Sequence, residues 1–195
     1  TFCLDPRSFE AAITPRTKPV ISVHLLGHPA DMDQILAIAR RHKLKVIEDC
    51  AQAPGAKYKG HLAGTMGDCA IYSFQESKNM MTGEGGMLIT NDSDLAEQAR
   101  MVRNHGETVI AGEPRKYLSH TIGWNYRMTE IEAAIGIVQL KKLDRQNDGR
   151  RELAKHLLDR LPAMPGLRYP SEPNGIHHVY HVFGMTYDEG LVGVP

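Results

Sequence analysis

The chain lacks a charge excess. Its 23 Lys and Arg are balanced by 23 Asp and Glu over 195 residues, a formal net charge of zero with the 10 histidines neutral. Proteins that grip nucleic acid or an anionic membrane surface carry a basic bias, so neither is expected as a partner. Cysteine is scarce: Cys3, Cys50 and Cys69 are odd in number and show no CxxC spacing. That argues against a disulfide framework or a Cys-rich zinc site and points to a reducing compartment. No apolar run reaches the length of a bilayer-spanning helix and no signal-peptide pattern opens the chain, so the cytoplasm is the expected location. Internal repeats and low-complexity tracts are lacking too. The first methionine is Met32, inside a helical pattern, and the ends TFCLDPRSF and EGLVGVP close no element. The chain therefore reads as an interior piece of a longer protein.

What is present is ordinary for a folded domain: 42% hydrophobic residues, 24% charged and 18 glycines. The length suits one domain, or one and a half at most. An apolar run from Val20 to Leu26 predicts a buried strand. Met32, Ile35, Leu36 and Ala39 then recur at helical spacing between Ala30 and Lys43, with acids in front and bases behind, as the helix dipole favours. Further strands are predicted over Lys45–Cys50, Cys69–Phe74 and Gly86–Thr90, with a helix over Ser93–Asn104. Strand, helix and strand in that order announce a parallel sheet with helices on its faces, an α/β fold. The 105–126 stretch is a loop whose length is itself a mark of function. A long helical segment starts at Thr129 with Ile131, Ala134, Ile135, Val138, Leu140 and Leu143 on one apolar face. Asn147-Asp-Gly149 is expected to weaken it before Leu153, Leu157 and Leu161 resume the period. Alternation of Val179, His181 and Phe183 predicts a strand over 177–187 in another layer.

Two segments carry candidate chemistry. Val46–Ala53 puts Asp49 and Gln52 at the carboxyl end of a buried strand, where open α/β sheets build their sites. Ser73–Gly86 puts Lys78 in a loop after a strand, ahead of three glycines. A lysine among small and hydroxyl residues, near a strand-end carboxylate, is what pyridoxal phosphate requires: an amine for a Schiff base and a carboxylate to keep the pyridine nitrogen protonated. Taken singly, each has a bland reading. A strand-end Asp caps a turn, a lysine is a solvated surface group, and GEGG without a following Lys-Ser/Thr is a flexible turn. Their joint occurrence, in order and on the expected elements, is the signal. His177, His178 and His181 on a strand have no carboxylate cluster beside them, so packing is preferred over metal binding and no metal site is expected.

EDCAQAPGAKYKGHLAGTMGDCAIYSFQESKNMMTGEGGMLITND is similar to the central signature of the DegT/DnrJ/EryC1/StrS family of pyridoxal-phosphate-dependent sugar aminotransferases. RNHG at 103–106 and GWNYRMTEIEAAIG at 123–136 resemble two further family blocks, in order. The resemblance implies the large domain of a fold-type-I aminotransferase, a mostly parallel sheet flanked by helices and truncated at its amino terminus, over residues 1–145. Residues 146–195 would be the linking helix and the start of a small α+β carboxy-terminal domain. It implies that Lys78 forms the Schiff base, Asp49 pairs with the pyridine nitrogen, Gln52 packs near the ring, and Ser73 binds the cofactor phosphate. Asn125 would reach the phosphate of a neighbouring subunit, making the sites of a homodimer shared. Trp124 stands where the family more often has Tyr, and Cys50 where it more often has Ala. The implied reaction moves an amino group from Glu or Gln to a keto-sugar, a nucleotide-linked keto-sugar or a cyclitol ketone. A sugar dehydratase of the same family carries His in place of the lysine, so Lys78 disfavours it. A non-catalytic regulatory or subunit-pairing relative is disfavoured by the intact Asp49, Gln52, Ser73 and Lys78.

Overall fold

Alternating Val20, Ser22 and Val46, Glu48 give two neighbouring strands one fully buried face, and the rest of the fold follows from what covers it. The computed structural model describes residues 1–109, 112–114 and 116–192. Strands β1 (Pro19–Val23) and β2 (Lys45–Asp49) pair in parallel, and β2 pairs in parallel with β5 (Cys69–Ser73). Strand β6 (Gly86–Thr90) closes the order β1-β2-β5-β6 as an antiparallel edge. Between them lies a small hairpin, β3 (Lys57–Tyr58) and β4 (His61–Leu62), which turns on Lys59 and Gly60, both at positive φ.

Helix α2 (Met32–Arg41) is started by the Asp31 side chain, which accepts from the Gln34 amide, and ended by Arg40 and Arg41 in the last turn. Its buried Met32, Ile35, Ile38 and Ala39 pack on Val20 and Val46. Met32, Ile35 and Ile38 each contribute about 1.5–3 kcal/mol on leaving water, and Ala39 less. Helix α1 (Pro6–Ala11), capped by Asp5 with Pro6 in the first position, adds Phe9 to that core. A second cluster is almost all alanine: Ala53, Ala56, Ala63 and Ala70 with Cys50 and Val179. The other face of the sheet is open. Strand register puts Ile21, Ile47, Asp49, Ile71, Ser73 and Leu88 on it, and Ile21, Ile71 and Leu88 are exposed.

Helix α3 (Ser93–Arg103) is capped by Asp92. The long helical segment divides, but not where the sequence places the weakness. Helix α4 (Glu130–Leu140), with a Thr129–Glu132 capping box, ends before Lys141, and α5 (Leu143–Leu158) runs unbroken through Gly149. Asn147 sits inside α5 because its amide is buried and hydrogen-bonded to other segments, which offsets its poor propensity. The apolar side chains of α4 have no cover: Ile131, Ile137 and Leu140 are each at least 60% exposed.

The segment 177–187 is not the strand its alternation predicts. Only β8 (Ile176–His177), paired with β3, and β9 (Thr186–Tyr187), paired with β7 (Leu167–Arg168), are extended and bonded. Between them the backbone docks on the turn after β1, with the Val179 amide donating to the Gly27 carbonyl. Gly27 permits that approach, since a Cβ there would lie 2.9 Å from the His181 nitrogen. The chain ends in α6 (Glu189–Val192).

Candidate active site

A parallel strand leaves free backbone groups and a crevice at its carboxyl end, so side chains placed there meet ligand rather than core. Strands β1, β2 and β5 all end on that side. Asp49 is the last residue of β2, level with Ile71 of β5, and Ser73 is the last residue of β5 two positions further. Both lie on the open face of the sheet, one strand apart. The Asp49 Oδ1 accepts from the Ala51 amide at 3.0 Å, and among the described residues its Oδ2 has no partner. Ser73 Oγ accepts only a long 3.4 Å bond from the Gln75 amide, leaving its own proton undirected. Gln52 is oriented by the Leu26 amide, which donates to its Oε1 at 2.7 Å, so its Nε2 donors remain free.

Lys78 lies five residues beyond Ser73 in a turn whose amide donates to the Gln75 carbonyl. The loop is folded back on the strand end: the Thr82 amide donates to Phe74, and Met80 packs with Phe74 and Leu143. Lys78 is half-buried, and its amine forms no ion pair or hydrogen bond among the described residues. Met81, by contrast, is exposed. Asp49, Gln52, Ser73 and Lys78 are thus brought to one end of the sheet. Asn125 belongs to a different assembly. It is exposed and bridges Asn104 in the 104–126 loop, with Trp124 and Tyr126 stacked beside it. Ile110, Ala111 and Arg115 of that loop lie outside the described residues.

The neighbouring carboxylates Glu48 and Asp49 have opposite environments because successive strand residues face opposite ways. Glu48 is fully buried, on the α2 side. One oxygen accepts from the Met66 and Gly67 amides, the other from the Gly64 amide and from His24 Nε2 at 3.0 Å. Burial pushes its pKa up, but those four donors outweigh it and hold the carboxyl below the usual range. His24 Nδ1 accepts from the Ala30 amide, so the ring donates through Nε2. Cys50 completes a group of three potential metal ligands within 4.8 Å. However, the Glu48 oxygens and His24 Nδ1 already accept from protein donors, His24 Nε2 donates to Glu48, and burial pushes the Cys50 thiol well above its ordinary value. The arrangement locks the 64–67 turn to β1 and β2. Sequence reasoning passed over Glu48; its only signal is a charge at an inward position of a strand.

The three tail histidines separate. His178 is buried, stacks on Tyr180 and accepts its amide, and burial together with His28 pushes its pKa down to about 4. His177 ends the short β8. His181 reaches Asn79, the residue after Lys78, through Nδ1 at 3.0 Å. No pattern in the sequence ties residue 181 to residue 79.

The groups left free fit pyridoxal phosphate: a carboxylate oxygen, a serine hydroxyl, an amide donor and an unpaired lysine at one sheet end. The comparisons agree. Residues 1–192 match the DegT/DnrJ/EryC1/StrS aminotransferase family. The chain is 43% identical over 192 residues to the GDP-perosamine synthase of Caulobacter vibrioides, covering 98% of this chain and 51% of that protein. It is 45% identical over 183 residues to a UDP-N-acetyl-3-dehydro-alpha-D-glucosamine 3-aminotransferase of Acidithiobacillus ferrooxidans, covering 93% and 48%. Among solved structures it superposes on S. venezuelae DesV, determined in complex with a ketimine intermediate, with TM-score 0.85 and 40% identity over 95% of this chain and 48% of that one. The chain spans about half the length of the relatives it matches.

Proposed function

Because the chain belongs to the DegT/DnrJ/EryC1/StrS aminotransferase family, we propose that the protein it is part of is a pyridoxal-phosphate-dependent sugar aminotransferase. The observation that carries this reading is the placement of Asp49 and Ser73 at the ends of adjacent strands on the open sheet face, with Lys78, unpaired among the described residues, five residues beyond Ser73. When bound, pyridoxal phosphate supplies an aldehyde that bonds an amine and a ring that withdraws electrons from it.

Lys78 Nζ would hold the cofactor covalently and, when its amine is free, would accept and return a proton as general base and acid. Asp49 Oδ2 would hold the proton on the pyridine nitrogen, since an ion pair favours both charged forms. Gln52, its Oε1 already bonded to Leu26, turns amide donors to the ring oxygen. Ser73 Oγ donates to the phosphate. Asn125 contributes to the phosphate site of a second subunit, so the enzyme works as a homodimer with shared sites. The donor is Glu or Gln and the acceptor a keto-sugar, free or nucleotide-linked, or a cyclitol ketone. We place the protein in the cytoplasm, and the domain division at residues 145 and 146.

The test is borohydride reduction of the full-length protein loaded with pyridoxal phosphate, followed by peptide mapping. The pyridoxyl group is expected on Lys78 and to vanish in Lys78→Ala. Label on Lys57 or Lys59 would overturn the assignment.

A further inference from the structure

Asn79, next to Lys78, is 5% exposed and has its side-chain amide fully engaged. Its Nδ2 donates to the Val179 carbonyl at 3.2 Å and to Asn147 Oδ1 at 3.0 Å. Asn147, 2% exposed on α5, donates from its own Nδ2 to the Pro54 carbonyl at 2.9 Å. Both amide orientations are therefore forced, because a backbone carbonyl can only accept. Asn79 Oδ1 must be an acceptor, and the group bonded to it, His181 Nδ1 at 3.0 Å, must carry the proton. The other ring nitrogen, Nε2, makes no hydrogen bond among the described residues. Burial, with the charges of Lys78 and Arg150 nearby, pushes the imidazole pKa down and keeps it in this single-proton form.

The network joins four segments that are far apart in the chain. They are the Lys78 loop, α5, the 50–56 turn that follows Asp49 and contains Gln52, and the tail at 178–181, which Arg150 also grips through the Tyr180 and His181 carbonyls. A purely structural network needs no particular place. This one ends on the backbone neighbour of a lysine whose own amine is left free. A lysine that must be displaced and return needs its side chain loose and its Cα fixed, since small displacements of a reacting group are costly in rate.

On the reading of Lys78 given above, we infer that His181 is a positioning residue for Lys78. Through Asn79 it fixes the backbone that presents the amine, and so ties the tail segment to the competence of the cofactor lysine. The donor at the Nδ1 position is what matters. An asparagine at 181 places its Nδ2 close to that position and keeps the bond, whereas glutamine carries its amide one carbon further and does not.

The experiment follows covalent uptake of pyridoxal phosphate by the cofactor-free full-length protein, by its visible band and by borohydride mapping, beside thermal melting of the cofactor-free form. His181→Gln is expected to slow uptake about tenfold, and His181→Asn to stay within about twofold of the parent. Both variants should remain folded at the temperature of the uptake assay. His181→Ala carries the same expectation as His181→Gln if the glutamine is not accommodated. Equal uptake rates in the asparagine variant and in His181→Gln or His181→Ala would overturn the inference, as would slowing that merely tracks lost melting temperature. A parent protein that forms no band and no borohydride adduct on Lys78 would instead overturn the cofactor reading itself, so the two failures are distinct.

Discussion

Asp49 has two differently placed oxygens, one accepting from the Ala51 amide and the other without a partner among the described residues. Asp49→Asn tells the two apart, because the amide oxygen still accepts from Ala51 while a neutral side chain cannot stabilise a protonated pyridine. The variant of the full-length protein should show an unchanged urea midpoint and a transamination rate lowered at least about a hundredfold. Near-parental turnover would place the essential carboxylate elsewhere. At this scale the residues proposed to meet the cofactor were legible in the sequence. Asp49, Gln52, Ser73 and Lys78 sit within one stretch of chain, at strand ends that the apolar pattern marks. Asn79, Asn147 and His181 were not legible. Their contacts join positions 68 and 102 residues apart, and nothing in their local patterns distinguishes them from turn or surface residues.

Strand β2 shows how one element serves two purposes. Its inward Glu48 bonds three backbone amides and His24, while its outward Asp49 faces the crevice. Glu48→Gln turns one acceptor oxygen into a donor facing donors, and should destabilise the fold by about 3 kcal/mol, read as a lowered urea midpoint at unchanged slope. An unchanged midpoint would mean the 64–67 turn is held by other contacts. Gly64 shares in this packing: its φ is +96°, and a Cβ there would meet the Tyr72 hydroxyl and the Cys50 sulfur. Elements dominated by local signals came out close to expectation, as α2 did between Asp31 and Arg41. Where long-range bonds compete with local pattern, the elements moved. Helix α5 passes through Asn147 and Gly149 because the Asn147 amide has buried partners, and the alternating tail forms no long strand because its backbone bonds to the turn after β1.

The molecule as a whole leaves a large apolar surface: Ile21, Ile71 and Leu88 on the sheet, Ile131 and Ile137 on α4, and Trp124 and Tyr126 on the long loop. A free monomer rarely presents so much, and aromatic side chains are enriched at subunit interfaces. The proposed shared-site homodimer has a direct test in mixing. Lys78→Ala disables the site on its own subunit, and Asn125→Ala disables the site on its partner. Co-refolded in equal amounts, these two inactive full-length proteins should regain about a quarter of parental activity, since half the dimers then carry one intact site. No recovery above the sum of the separate variants would refute the sharing.

What the sequence by itself determined is what depends on neighbours along the chain: strand, helix and strand in a parallel α/β order, the caps that start α2, α3 and α4, and the strand-end residues with their side-chain types. The tertiary structure decided which face of each strand is covered, and hence that Glu48 is locked while Asp49 is free. It also decided where the tail returns, and hence that His181 comes to stand beside the neighbour of Lys78. Those outcomes rest on hydrogen bonds and packing between residues tens of positions apart, whose partners a local pattern cannot specify.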